Sequence, residues 1–457
     1  MPPAFHPSSR VLSAGRSQRL HHQVAAAATV EDCRWLLSAA PANLKLLPFG
    51  AGQSLGDSCL NGGGGLIVTR GMMQVLRFDR SAGLITTEPG LTVGQLADLA
   101  LAAPEGRRWF PGVFPGSTAV TIAGAIANDV HGKNHESQGS FCHHVQALML
   151  LRSDGTMVPC SEHENADLFR ATLGGLGLTG IIVSATIKLQ TAPGPLLENE
   201  DLRCTSLADA LPLFAESAKD WEYRFYWFDP FDPAGRGIFT RSRHCTDLTR
   251  KAEPRSRLMR TIARLPLPAA IGRPALWRAW YRFLLSGTPR TQLRCMHYRD
   301  SLAPLGEFPR WNRLLGPRGL LHLQSVFPER KALALLQTML EDCRISGELP
   351  CLASIKLFGA RRRAGLLSFP REGLTVALDF ANAGESTRRL LRCLEARVVE
   401  AGGAIYPAKD STLTPDGFRR SFPEWEDFAR HVDPRFSSSF WRRVRETSPS
   451  RSTGHPG

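Results

Sequence analysis

Short apolar runs bounded by glycine and proline dominate the first 190 residues, a spacing that predicts strands and tight turns. Leu44 to Phe49 reads as a buried strand ending in Gly50-Ala51-Gly52-Gln53-Ser54-Leu55-Gly56-Asp57. Leu66 to Thr69, Val75 to Phe78, Leu84 to Thr87, Val145 to Leu151, Thr156 to Val158 and Ile181 to Leu189 read as further strands. Ser153-Asp154-Gly155 joins two of them as a hairpin, since Asp-Gly suits the positive φ angles of a tight turn. Helical spacing covers Thr29 to Ala40, with Thr29 as N-cap, then Thr92 to Ala102 and Asn165 to Ala171. Thr191-Ala192-Pro193-Gly194-Pro195 breaks the pattern and marks a domain boundary.

The texture then changes. Trp221 to Phe228 and Gly237 to Arg241 read as antiparallel strands. Leu258–Leu267 and Ala275–Leu285 have helical character, kept short by prolines at 254, 266, 268 and 274. Leu320 to Phe327, Ala353 to Phe358 and Leu374 to Phe380 read as strands, with helices over Glu329 to Ile345 and Ser386 to Ala401. This β-α-β-β-α run predicts an α+β lobe with helices on one face of its sheet. Residues 403–446 form a return segment, and 447–457 a Ser/Pro/Arg-rich disordered tail.

One stretch concentrates candidate chemistry. Val120 to His144 packs Ala and Gly at 123, 124, 125 and 127, then places Asp129, His131, Lys133, Asn134 and His135 within seven residues. Small residues let a backbone approach a flat ligand, and the titratable groups put acid–base chemistry beside it. Pro115-Gly116-Ser117-Thr118 upstream is a turn that can point N–H groups at an anion. The strand running into Gly50 to Gly56 can do the same, although it lacks the third glycine and βαβ setting of a dinucleotide Rossmann turn.

Composition narrows the class. The chain has 457 residues, 43% hydrophobic and 21% charged, the balance of a soluble globular protein with two or three domains. No apolar run reaches the ~18 residues of a membrane span. Residues 1–28 hold no adequate signal core and read as a flexible extension. The ten cysteines are scattered without a CxxC pair, which fits reduced thiols and a cytoplasmic setting. His21-His22 and His143-His144 lack companion ligands at metal spacing, so no metal is expected. Net charge is +14, and residues 241–299 carry fourteen Lys/Arg against Asp247 and Glu253. That local excess, interleaved with Trp277, Trp280, Tyr281 and Phe283, predicts contact with an anionic membrane surface from its inner face. No nucleic-acid-binding module accompanies it, so no nucleic-acid partner is expected.

Four stretches in order carry a family pattern: GAGQSLGDSCLNGGG (50–64), PGSTAVTIAGAIANDVHGKNHESQGSF (115–141), NADLFRATLGGLGLTGII (165–182) and KLFG…SFP…LDF…YPAKDS (356–411). Together they resemble the FAD-linked oxidases of the vanillyl-alcohol-oxidase superfamily, with PCMH-type FAD binding, and look closest to the decaprenylphosphoryl-ribose 2-oxidase branch. The resemblance implies an α+β protein: a two-part FAD-binding domain (29–193 and 403–446) with an inserted α+β substrate domain (194–402), an antiparallel sheet covered by helices. It implies FAD held at its pyrophosphate by Gly50, Ala51, Gly52, Gln53 and Ser54 and by Gly116, Ser117, Thr118 and Thr121. Gly124, Asn128 and His131 would line the flavin, with Gly180, Ile181 and Ile182 toward the adenine or ribityl side. Lys133, Gln324, Lys356, Phe358, Thr375 and Ala377 fall on substrate-pocket positions, and Lys409 on the flavin's pyrimidine side.

Gln53 stands where many superfamily members carry a flavin-linking histidine, so the FAD is expected to be non-covalent. Leu55, Thr375 and Ala377 replace the tyrosine, asparagine and cysteine of the resembled branch, which alters the pocket. The implied reaction is oxidation of a sugar's secondary alcohol, on a pentose carried by a polyprenyl phosphate, with Lys409 or His131 as base. The keto product would pass to a short-chain reductase, completing an epimerisation. Lys133 and Lys356 suit a phosphorylated ligand. A soluble aldonolactone or sugar-alcohol oxidase, or a flavin-binding protein without catalysis, are the alternatives.

Overall fold

The computed structural model describes residues 2–102, 107–247, 249–253, 274–287, 289–304 and 318–445. The expected helix Leu258–Leu267 and the tail 447–457 lie outside them. Three sheets organise the chain. The first has four strands in the order His6–Ser8, His22–Ala26, Gly65–Val68, Leu46–Phe49, the last three mutually parallel. The second is built around the long strand Ile181–Thr191, which pairs antiparallel with Leu84–Thr87, Val145–Leu151 and Trp109–Pro111. The Ser153-Asp154-Gly155 hairpin forms as expected, with Gly155 at φ 86°.

Thr29 and Thr92 each cap a helix, Val30–Ala39 and Val93–Leu101, through reciprocal bonds with Asp32 and Gln95. The interior faces carry Cys33, Leu36 and Leu37 in the first and Leu96, Ala97, Ala100 and Leu101 in the second, at the helical spacing that makes both legible from sequence.

Residues 1–28 differ from the expectation. His22–Ala26 is a strand of the first sheet, with Ala25 buried, and Ala14 N–H donates to the Ser54 carbonyl at 2.8 Å. Leu320 N–H in turn donates to the Gly15 carbonyl at 2.8 Å, so the segment is wedged between the first glycine loop and the third sheet. Its apolar content is too short to announce a strand; pairing with Gly65–Val68 creates one.

The third sheet has eight antiparallel strands: Thr291–His297, Leu196–Cys204, Gly237–His244, Tyr223–Phe228, Leu352–Phe358, Gly373–Ala381, Leu320–Phe327 and Ala404–Ile405. The expected β-α-β-β-α run is present, with helices Ala332–Ser346 and Glu385–Glu400. One face buries Leu321, Leu323, Ile355, Val376 and Phe380 against Leu336, Met339, Leu340, Leu390 and Leu394 of those helices. The opposite face carries a different set by simple alternation. His322 pairs with Asp379, Gln324 with Ala377, Thr375 with Lys356, and Ser354 with Trp227.

The basic segment 241–299 is not one inserted unit. Its ends belong to strands Gly237–His244 and Thr291–His297, which flank Leu196–Cys204 on both sides. Five of its fourteen basic residues pair with acids outside it. Arg241 pairs with Glu200, Arg243 and Arg250 with Glu198, Arg294 with Asp201, and Arg299 with Asp98. Between the strands lies the helix Pro274–Gly287. Its aromatics are not uniformly outward: Tyr281 is buried and donates to the Cys351 carbonyl, while Trp277 packs beside Leu55 and Leu320. Phe283 is 64% exposed.

Candidate active site

The strand Leu46–Phe49 delivers the first glycine loop against the start of the central stretch. A Cβ at Gly50 would lie 2.4 Å from Thr121 Oγ1, and Gly52 adopts φ 64°, so both positions need glycine. Gln53 Oε1 accepts from Ser117 Oγ at 2.9 Å, joining this loop to the second one. The backbone N–H groups of Ala51 to Ser54 and of Gly116 to Thr118 make no hydrogen bond among the described residues. Two adjoining loops of uncommitted donors form a receptor for a diphosphate. Gly116 has open space where a side chain would stand.

Thr121 caps the short helix Ile122–Ala127. Ile122, Ala125 and Ile126 face the core, leaving the small residues Ala123, Gly124 and Ala127 on a half-exposed face with Asn128. Asn128 Nδ2 donates to the Gly124 carbonyl, and its Oδ1 is buried without a partner. An orphaned amide oxygen beside a smooth face fits a flat heterocycle carrying N–H donors. Gly174 N–H and Leu176 N–H donate to Ile126 and Ala127, fixing this helix from behind, with Leu176 at φ 57°. Gly180 has φ 141°, while Ile181 and Ile182 are core residues paired with Leu151 and Leu150. Their side chains are committed to packing, so any ligand contact there falls to backbone.

His131 follows that helix and meets the third sheet. Its Nε2 lies 2.8 Å from Gln324 Nε2, and Gln324 Nε2 lies 3.2 Å from Thr375 Oγ1. The Thr375 hydroxyl proton goes to the Ser325 carbonyl at 2.9 Å, so Thr375 accepts from Gln324. Gln324 therefore presents its amide N–H groups, and His131 Nε2 is an acceptor already in use. Burial, with Lys356 next, holds His131 well below its usual pKa, so the ring is neutral. Phe358, Phe369 and Tyr406 surround it.

Lys409 stands on a turn anchored from three sides. Leu55 N–H donates to the Ala408 carbonyl, Tyr406 N–H to the Gln324 carbonyl, and Tyr406 Oη to the Asn128 carbonyl at 2.8 Å. A Cβ on Gly56 would fall 1.5 Å from the Asp410 carbonyl oxygen, so the turn lies directly on the first glycine loop. The ammonium groups of Lys409 and Lys356 have no hydrogen-bond or ion-pair partner among the described residues. Burial lowers both pKa values; Lys356 falls to about 8 through burial and the nearby charge of Lys409. Lys133 is different: its Nζ donates to the Ser301 carbonyl at 2.6 Å and sits 3.7 Å over the Phe225 ring. Burial, then Lys356, takes its pKa to about 7.

Gln324, Lys356, Thr375, Ala377 and Phe358 thus converge with His131 and Lys409 at one junction, with Lys133 at its edge. Sequence reasoning passed over His322, which lies one pleat repeat from Gln324, and Phe369 and Tyr406, whose rings stack at 4.6 Å. The sole signal for His322 was its period-two spacing from Gln324.

A family described as an FAD binding domain matches residues 22–161. Over 424 residues the chain is 33% identical to the decaprenylphosphoryl-beta-D-ribose oxidase of Mycolicibacterium smegmatis, covering 87% of this chain and 88% of that protein. The chain belongs to this family of FAD-binding oxidases. It is an FAD-dependent oxidoreductase with an α+β fold. The chain is also 30% identical to mouse L-gulonolactone oxidase over 221 residues, 47% of this chain and 46% of that one. The two donor loops, the small-residue face and the unpartnered Asn128 oxygen fit the oxidase's cofactor.

Proposed function

We propose that the protein oxidises a secondary alcohol of a sugar carried on a polyprenyl phosphate, most simply a pentose at its 2-position. The observation that supports this is the pair Lys356 and Lys409, two buried ammonium groups with no ion-pair partner among the described residues. A neutral sugar leaves both charges unanswered, whereas a phosphodiester answers them and raises their pKa values back toward the usual range. Lys133 adds a third cation at the edge, available once it exchanges the Ser301 carbonyl.

When bound, FAD supplies the two-electron acceptor, taking a hydride from the carbinol carbon. The chain's own part is to position and to screen. Ala51 to Ser54 and Gly116 to Thr118 hold the diphosphate through backbone N–H groups. Lys409 places positive charge where negative charge develops. His131 fixes Gln324, and through it the strand that presents the substrate's face of the sheet. Gln53 contributes an amide to Ser117, a group that forms no bond to flavin, so the cofactor is held non-covalently. The keto sugar would be consumed by a short-chain reductase, which makes the pair an epimerising system for cell-wall precursors.

The test is spectroscopic. The purified protein should be yellow and should release its flavin into the supernatant on acid precipitation. Anaerobic addition of a short-chain polyprenyl-phosphoryl ribose should bleach it, while free ribose and aldonolactones should not. Bleaching by a lactone alone would favour a soluble lactone oxidase. No bleaching by any alcohol would make the protein a flavin carrier.

Substrate delivery is part of the same reading. Among the described residues no helix is long and apolar enough to cross a membrane. Leu276 and Phe283 on the helix Pro274–Gly287, with Leu293 on the next strand, are 48%, 64% and 51% exposed, and Arg278 and Arg282 are exposed on the same helix. This face suits an anionic lipid surface. Each engaged arginine contributes about 1 kcal/mol. The protein should co-sediment with vesicles containing anionic lipid at low salt and lose that association at high salt. Equal binding to neutral vesicles would refute the electrostatic part of the idea.

A further inference from the structure

We propose that His322, oriented by Asp379, takes the hydroxyl proton of the alcohol; the inference rests on the alcohol-oxidation reading above. The two residues face each other across strands Leu320–Phe327 and Gly373–Ala381, on the same sheet face as Gln324, Thr375 and Lys356. His322 is 6% exposed, and its Nδ1 lies 2.7 Å from Asp379 Oδ1. An ionised carboxylate only accepts, so Nδ1 carries the ring hydrogen and Nε2 holds a free lone pair. That Nε2 is buried and has no partner among the described residues.

The arrangement separates it from the other candidates. His131 Nε2 is committed to Gln324. Lys133 Nζ is engaged with the Ser301 carbonyl, and Lys356 and Lys409 serve in this reading as the cations that answer the phosphate. A neutral imidazole backed by a carboxylate accepts a proton and is stabilised once charged, the logic of any base held by a third group.

The charged and titratable groups around His322 are Asp379 on the adjoining strand, Lys356 on the next, and Lys409 on the overlying turn. Tyr281 and Cys351 complete the shell near Asp379. Burial lowers the His322 pKa most, Asp379 raises it, and the two lysines lower it. The ring is therefore neutral at pH 7.

In the step, the O–H bond breaks and its proton goes to Nε2. The O–H electron pair becomes the second C–O bond. The carbinol hydrogen leaves with the C–H electron pair to FAD, so the alcohol loses two electrons and FAD gains two. The imidazolium proton is then returned to solvent.

Two measurements test this. In the FAD-bound protein with labelled histidines, the His322 signal, assigned by its loss in His322→Gln, should show the Nδ1–H tautomer at pH 7. A protonated Nε2 there overturns the proposal. In anaerobic stopped flow, with whichever sugar bleaches the wild type, His322→Gln should slow flavin reduction ~100-fold or more with FAD content unchanged. The acidic limb of the kcat/KM profile should vanish, and added imidazole should restore part of the rate. Asp379→Asn, which keeps the ring but not its orientation, should slow reduction also and serves if His322→Gln fails to fold. Wild-type rates in the folded variants defeat this inference alone. If no sugar bleaches the wild type, the alcohol-oxidation reading falls, and this one with it.

Discussion

Lys409→Ala is expected to lower the rate of flavin reduction ~100-fold or more while leaving FAD bound. The loss corresponds to about 2.7 kcal/mol of transition-state stabilisation. Lys409 is the one cation on the turn that rests directly on the first glycine loop, and its ammonium has no partner among the described residues. Its charge matters most as negative charge develops, so kcat and kcat/KM should fall together. FAD should stay because the diphosphate donors are backbone groups of other loops, which the substitution leaves in place. Stopped-flow reduction rates with flavin content measured on the same sample provide the check. A variant that reduces at the wild-type rate assigns Lys409 a structural role only.

Arg443→Ala should cost about 3–5 kcal/mol of stability and weaken FAD retention, although Arg443 touches neither loop's donors. Its guanidinium lies 2.7 Å from Asp57 Oδ1 and 3.0 Å from Asp410 Oδ2. Asp57 follows the first glycine loop and Asp410 follows Lys409, so one arginine from helix Ser439–Arg445 clamps both sides of the site. Burial pushes the Asp410 carboxyl up and the arginine charge pulls it down. Removing the arginine leaves two buried carboxylates facing each other without compensation, the costly way to break a buried pair. Urea unfolding and flavin retention through gel filtration measure the two effects. A variant as stable and as yellow as wild type would show that solvent replaces the guanidinium.

The glycine loops of the candidate site were legible because they are written in local spacing, whereas the pocket positions came only from the family resemblance. Gly50, Gly52 and Thr121 were assigned to the cofactor's diphosphate by resemblance, and the structure sets Gly50 directly against Thr121. Gln324, Lys356 and Thr375 were placed in the pocket by resemblance, and the sheet register sets them on one face of the large sheet. The roles within the pocket were another matter. His131 reads in sequence as a flavin neighbour and candidate base, and only Gln324 and Thr375, distant along the chain, decide that its Nε2 is engaged. Lys133 reads as a phosphate contact, yet Phe225 and the Ser301 carbonyl hold its head.

The same division runs through the fold. Local patterning by itself determined the capped helices after Thr29 and Thr92, the Asp154-Gly155 hairpin and the β-α-β-β-α run, because caps, turns and amphipathic faces need only neighbours within a few residues. Tertiary structure alone decided that His22–Ala26 is a strand, that Leu196–Cys204 and Thr291–His297 extend the large sheet, and that Arg241, Arg243, Arg250, Arg294 and Arg299 pair with Glu198, Glu200, Asp201 and Asp98. Strand pairing and ion pairing depend on groups distant in sequence. Asn199 and Asp201 point inward on a strand whose apolar alternation they erase, and the partners of the Asn199 amide N–H and the Asp201 carboxylate, Ser301 and Thr240, are supplied by the folded chain.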